Sequence, residues 1–256
     1  MISMDHIAQF REEGACIVPG GIDPHRIQLL KAELAAAVEE DLQQRPDVFD
    51  TGMVHNCMLR GREMARLLDD PLVNSYTKVF LSESFILYAY QSSSLPPGES
   101  NYGSRIHVDC PRFTGGYVTN TGVMFPLDDF TLDNGATYYL KGSHKWSNED
   151  QLSEKEFYSQ ADRLVCTAGD LIFLDARLLH AAGTNYTNEY RHALTMNFCR
   201  CFMRQRFDFC RMVPTGFFDS LGPDGRRLMG WDVRVPTNLE EFYLPPEERL
   251  YKPGQE

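Results

Sequence analysis

The chain has 256 residues, 43% of them hydrophobic and 24% charged, with a formal net charge of −11 at pH 7. That balance fits one soluble, enzyme-sized unit with a substantial core and excludes a disordered or collagen-like chain. An acidic surplus without a basic run argues against nonspecific nucleic-acid binding, whose affinity comes from neutralised phosphates.

No apolar run approaches the ~20 residues of a membrane helix. The N-terminus also lacks the charged, apolar and small-residue succession of a signal peptide, so no membrane association and a cytoplasmic location are expected. Seven cysteines, an odd number without small-scaffold spacing, suggest reduced thiols rather than a disulfide framework. Cys199 and Cys201 would share a strand face, but one pair falls short of the four ligands of a structural zinc site. Both are read as packing residues.

In chain order, residues 5–13 place Ile7 and Phe10 on one helical face, with Gly14 positioned as the C-terminal stop. A short strand through Ile17 and Val18 follows. Asp23 then caps a longer helix with Pro24 at its first position, and Ile27, Leu30, Leu34 and Val38 form its apolar stripe. Residues 61–82 predict one or two further helices, interrupted near Pro71. From Ser84 the period becomes that of strands: residues 85–91, 118–127, 137–140, 163–167, 171–175 and 192–203 each read as one. Residues 92–104 are a proline- and glycine-bearing loop, either a lid over a site or a plain connection. From Arg206 the chain turns irregular. This tail either covers a site mouth or makes a subunit contact, which leaves a homo-oligomer open. Helices first and many short strands later predict an α+β fold: a double-stranded β-helix (jelly-roll, cupin-like) core over residues 84–205, a helical buttress over 1–82 and a C-terminal cover over 206–256, all in a single domain.

The chemistry concentrates in His107-Val108-Asp109. On an extended chain His107 and Asp109 share a face, roughly 7 Å apart at Cα on a ~3.3 Å rise, and one metal ion can bridge that gap. Alone the tripeptide is a weak signal, since such residues are more often solvated or hydrogen-bonded than ligands. Downstream, the apolar run over residues 169–180 reads as a buried strand delivering His180 near its far end, followed by the turn-rich Gly183-Thr184-Asn185. Two imidazoles and one carboxylate form the facial triad that holds a non-haem Fe(II) and leaves three positions open. Residues 191–198 resume a strand pattern. Paired antiparallel with the preceding strand, they would return Arg191 to within one or two residues of His180. A guanidinium there suits the distal acid of a dicarboxylate whose other end chelates the metal; the alternative is an exposed strand-end arginine. Arg60, Arg62, Arg105 and Arg112 are read as solvated, with contact to an anionic substrate as the alternative.

Asp133-Asn134-Gly135-Ala136-Thr137 and Lys141-Gly142-Ser143-His144-Lys145-Trp146 resemble the signature of the phytanoyl-CoA dioxygenase (PhyH) family of Fe(II)/2-oxoglutarate oxygenases. That family also places His-x-Asp before this signature and a histidine after it, with an asparagine five and an arginine eleven residues further on, here Asn185 and Arg191. Residues 10–20 are similar too, so the resemblance spans roughly residues 5–205. Lys141 stands where the family usually has proline, a departure expected to loosen the turn without removing a ligand.

The resemblance implies that His107, Asp109 and His180 hold Fe(II) and that 2-oxoglutarate chelates it through its keto and C1-carboxylate oxygens. Arg191 would pair with the C5 carboxylate, with Gln91 and Thr137 as further polar contacts or ordinary strand residues. Reaction with O2 would yield succinate and CO2 and oxidise a C–H of a small metabolite or natural-product intermediate; the metal does that chemistry and the protein positions the carbon. With Asp109 present, hydroxylation is expected over halogenation. Desaturation, epimerisation or cyclisation with the same cofactors is the first alternative, and a non-catalytic metal-binding jelly roll the second. Tyr88, Tyr102, Phe113, Tyr117 and Trp146 are candidate pocket aromatics or core residues.

Overall fold

Local rules set the N-terminal elements. The computed structural model describes residues 2–45, 50, 52–81, 84–99, 101–111, 114–147 and 149–249. Helix α1 (Met4–Glu13) is capped by Ser3, whose side chain accepts from the Asp5 N–H, and it ends at Gly14, where φ is 86°. The left-handed turn costs glycine nothing. Strand β1 (Ala15–Val18) leads to α2 (Pro24–Gln44), where Asp23 accepts from the Arg26 N–H and Leu30, Leu34, Ala37 and Val38 are buried. Helix α3 (Arg62–Arg66) is followed by α4 (Pro71–Leu81), so the helical stretch breaks at Asp70 and Pro71 opens its second helix.

Two antiparallel sheets follow. The larger has the order β1–β6–β3–β8–β2, with β2 spanning Phe85–Ser92, β3 Asn120–Pro126, β6 Leu171–Asp175 and β8 Ala193–Arg200. The smaller has the order β5–β4–β7, made of Asp162–Leu164, Thr137–Tyr139 and His180–Ala181. Together they form an α+β double-stranded β-helix with α1, α2 and α4 on the outer face of the larger sheet. No helix among the described residues is long and apolar enough to cross a membrane.

Strand alternation divides the interior. Val123, Phe125, Leu171, Phe173, Leu194, Met196 and Phe198 join Leu30, Leu34 and Phe80 in the core under the helices. Their neighbours Met124, Ile172 and Leu174 face the other way and meet Phe130, Tyr139 and Leu164 between the sheets. Each fully buried side chain of this size contributes about 1.5–3 kcal/mol over its exposed state. The helix side is therefore sealed, and the open end between the sheets is left for chemistry.

A bulge in β2 decides what faces that end. Leu87 pairs with Phe198, but Ala89 pairs with Asn197 and Gln91 with Thr195, so Tyr88 is the extra residue. Unbroken alternation from Phe85 and Leu87 would bury positions 89 and 91 under the helices. The bulge turns both toward the site.

Three expectations are corrected. Residues 169–180 do not form one strand: β6 stops at Asp175, a turn follows, and His180 begins β7 in the other sheet. The expected strand at 163–167 is only Asp162–Leu164, with Cys166 in an isolated bridge to Phe130. The tail contains α6 (Phe209–Met212), α7 (Pro223–Leu228) and α8 (Leu239–Phe242), and buries Leu221, Leu228 and Met229 in the helix-side core. An unexpected helix, α5 (Glu154–Gln160), carries a Ser153/Glu156 capping box that the sequence displays openly.

Candidate metal centre

His107 and His180 are brought together by backbone pairing. They form an isolated antiparallel bridge in which each N–H donates to the other's carbonyl at 3.0 Å. That pairing places the imidazoles on one face, with ring centroids 4.3 Å apart. Asp109, two residues along, brings Oδ1 to 3.7 Å from His107 Nε2. One ligand atom from each of His107, Asp109 and His180 lies within 4.8 Å of the others.

The backbone also fixes which nitrogens face inward. His107 Nδ1 lies 2.6 Å from the Arg105 carbonyl and His180 Nδ1 lies 2.9 Å from the Leu178 carbonyl. A carbonyl can only accept, so each Nδ1 carries a proton and Nε2 is the nitrogen that faces the site, the arrangement a metal-ligating histidine requires. Burial, then the neighbouring His180, holds His107 below its ordinary pKa range and favours the neutral form. Asn197 Nδ2 donates to Asp109 Oδ2 at 3.4 Å, and Asn120 Nδ2 donates to Asn197 Oδ1 at 3.2 Å. Two imidazoles that turn Nε2 inward and a carboxylate on one wall are a donor set suited to Fe(II).

The triad opens into a cavity of about 510 Å³ between the sheets, lined also by Gln91, Thr137, Tyr88 and Tyr102. Ser92, Ser93 and residues 101–103 line it too, so both described ends of the 92–104 segment contribute wall rather than a plain connection. Tyr117 lines a separate cavity of about 340 Å³, and Trp146 packs beside Leu140, Phe157 and Ala181. Arg112 and Phe113 lie outside the described residues. Arg60 is engaged with Glu40 and Asp41 at 2.7 and 3.0 Å. Arg105, expected to be solvated, is exposed but faces this cavity. The expected iron-coupled position of Arg191 needs correction. β8 pairs with β3 and β2, and Arg191 bridges Leu95 rather than crossing from His180.

Arg191 is 1% exposed. Nη1 donates to the Gly135 carbonyl and Nη2 to the Ser93 carbonyl, each at 2.8 Å, and the guanidinium lies 4.1 Å over the Phe130 ring. Burial pulls its pKa down to about 9, which still leaves it charged at neutral pH. It stands behind the cavity wall, to which Ser93 and Thr137 contribute. Asn185 organises the approach: its Nδ2 donates to the Leu95 and Glu189 carbonyls, and its Oδ1 accepts from Thr187.

The two signature segments have structural reasons. Asn134 Oδ1 accepts from the Thr131 N–H and its Nδ2 donates to the Asp129 carbonyl, closing a turn in which Gly135 has φ 83°. A Cβ at Gly135 would lie 2.7 Å from the Gly183 carbonyl oxygen, so only glycine fits. Ser143 Oγ accepts from the Leu179 N–H at 2.9 Å, immediately before His180. Lys141 does not loosen its turn: Gly142 N–H donates to the Glu13 carbonyl at 2.9 Å, and Lys141 reaches Asp162 at 3.1 Å. Asn197, Asn120 and Ser143 were missed as supporting residues because only the register shows what they touch.

The family profile of phytanoyl-CoA dioxygenase (PhyH) matches residues 10–193. The chain belongs to the PhyH family. A Mycobacterium tuberculosis relative, Rv1501, is 36% identical over 215 residues, covering 80% of this chain and 77% of its own. The Fe(II)/2-oxoglutarate-dependent dioxygenase nvfF of Aspergillus novofumigatus is 23% identical over 243 residues, 87% of this chain and 80% of its own. Among solved structures, the epimerase SnoN, crystallised with Fe3+, alpha ketoglutarate and nogalamycin RO, superposes with a TM-score of 0.61 at 20% identity, over 82% of this PhyH chain and 90% of its own. At that identity the likeness shows the shared fold.

Proposed function

We propose that this PhyH protein is an Fe(II)/2-oxoglutarate-dependent dioxygenase that hydroxylates an unactivated C–H of a small metabolite or natural-product intermediate. The observation that carries the reading is the convergence of His107, Asp109 and His180 within 4.8 Å at the wall of a cavity. When bound there, iron and 2-oxoglutarate supply the oxidising power, with O2 consumed and succinate and CO2 released.

The chain's own residues hold and orient. His107 and His180 present their Nε2 atoms because backbone carbonyls hold their Nδ1 protons. Asp109 supplies the anionic ligand, and its presence favours hydroxylation over halogenation. Arg191 is assigned to the C5 carboxylate of 2-oxoglutarate. The support is chemical: it is a buried cation with no ion pair among the described residues, and its Nε lacks a partner. An uncompensated buried charge is costly, and a bound carboxylate offsets that cost. Thr137, on the cavity wall beyond Gly135, is assigned as a further polar contact.

Desaturation, epimerisation or cyclisation would use the same centre with a different substrate pose, and the fold shared with an epimerase keeps that reading in view. Incubating the purified protein with Fe(II), ascorbate and 2-oxoglutarate and measuring succinate tests the proposal. Turnover above a His180→Ala control supports it. Absence of turnover, even uncoupled, together with absent 2-oxoglutarate binding, leaves the non-catalytic jelly roll.

A further inference from the structure

We infer that the prime substrate of this site carries an anionic group, a carboxylate or a phosphate, and that Arg206, Gln91 and Arg105 receive it. The inference rests on the oxygenase reading and names the substrate class for the same cavity.

Extended backbone leads from Arg105, with φ −72° and ψ 142°, into the His107 bridge. By strand alternation Arg105, His107 and Asp109 share a side, and all three line the cavity. The Arg105 guanidinium lies over the Tyr102 ring, with Cζ 3.4 Å from the ring centroid. Stacking engages the face of the guanidinium and leaves the N–H edge for in-plane acceptors. Arg206 enters the same cavity beyond the end of β8, its backbone N–H donating to the Tyr88 carbonyl at 3.0 Å. Tyr88 is the bulge residue, so the irregularity that turns Gln91 inward also anchors Arg206.

Gln91 and Arg206 are then coupled: Arg206 Nη1 donates to Gln91 Oε1 at 3.3 Å. With one lone pair of its oxygen engaged by Arg206, Gln91 has both of its amide N–H groups to offer the cavity. This moves Gln91 from the co-substrate role expected of it to the substrate end. Among the described residues neither Arg105 nor Arg206 forms an ion pair, although the chain carries 36 acidic against 25 basic side chains and Arg26, Arg45, Arg60 and Arg66 all find carboxylates. An acidic protein that leaves two guanidinium groups of one cavity without a carboxylate partner among the described residues, beside an amide donor, presents a receptor for an anionic acceptor.

The test uses protein loaded with Fe(II) and 2-oxoglutarate under argon, probed by ligand-observed saturation-transfer NMR. The probes are phenylacetate and phenyl phosphate beside their neutral counterparts phenylacetamide and phenol. The anionic probes should bind and the neutral ones should not, and the preferred anion identifies carboxylate or phosphate. Arg206→Gln and Arg105→Gln should each weaken anion binding by roughly ten-fold or more, while Arg206→Lys retains most of it. The charge-transfer band of the Fe(II)·2-oxoglutarate complex should titrate with co-substrate as in the wild type. Equal binding of neutral probes, or unchanged anion binding in both glutamine variants, overturns the inference. So does a loss of 2-oxoglutarate affinity in the arginine variants, which would make these residues the co-substrate's receptor. A wild-type protein without the band defeats the oxygenase reading instead, whatever the NMR shows.

Discussion

His107 and His180 are cross-strand partners, each donating its backbone N–H to the other's carbonyl at 3.0 Å. The spacing of the two imidazoles is thus set by a sheet ladder and does not depend on an ion to hold them. Metal removal should therefore leave the fold intact. Chelation followed by far-ultraviolet circular dichroism should show an unchanged spectrum and a lower Tm, with Fe(II) restoring the Tm. Unfolding on chelation would mean that the ion, not the ladder, organises the site.

Asp109→Ala removes the anionic ligand and should abolish high-affinity Fe(II) binding and succinate release together. Iron content after anaerobic reconstitution and a succinate assay check both. Retention of stoichiometric iron in the variant would reject Asp109 as a ligand.

Asn197→Ala leaves all three ligands but deletes the amide that bonds Asp109 Oδ2 and is itself held by Asn120. Outer partners of this kind typically tune metal affinity or activity by about 10- to 100-fold. The expected outcome is such a loss in Fe(II) affinity or kcat at a Tm close to wild type. A variant with normal iron affinity and rate would show that Asp109 is oriented without this chain of amides.

Arg191→Lys should mainly weaken 2-oxoglutarate binding. A ligand at ~100 times its Kd stabilises a protein by about 2.7 kcal/mol, so 2-oxoglutarate should raise the Tm of iron-loaded wild type and raise that of the variant much less. The lysine cannot serve the Gly135 and Ser93 carbonyls together as the planar fork does, so a lower basal Tm is also expected. An equal ligand-induced shift in both proteins would remove Arg191 from the co-substrate site.

Buried histidines should make stability sensitive to mild acid. Away from the triad, burial holds His55, His144 and His192 below the ordinary imidazole range. The folded state then binds fewer protons than the unfolded state as pH falls through about 6.5, and stability present above that pH is lost below it. Urea melts at pH 7.5 and 5.5 should show the fall, and His192→Gln should flatten it. A slope unchanged by the substitution would place the acid sensitivity elsewhere.

The reach of sequence can be judged residue by residue. Caps are local, and Ser3, Gly14, Asp23 and Pro24 end or begin helices as their neighbours dictate. The His107/Asp109 pair was legible because alternation along one extended segment is also local. Arg191 was different. A role for it could be proposed from chemistry, but placing it across from His180 assumed that consecutive strands pair. In a double-stranded β-helix the chain crosses between sheets at Ala176–Leu179, so β8 finds β3 and β2, and Arg191 finds Leu95.

By itself, then, the sequence determined the candidate ligand types, the capped N-terminal helices and the family, since these follow from side-chain chemistry and short-range periodicity. Tertiary structure alone decided which strands became neighbours, and with that the His107–His180 ladder, the amides behind Asp109 and the cavity face of Gln91. The physical reason is that strand pairing joins residues far apart in the chain, and a single inserted residue, Tyr88, reverses the face of every side chain that follows it in β2.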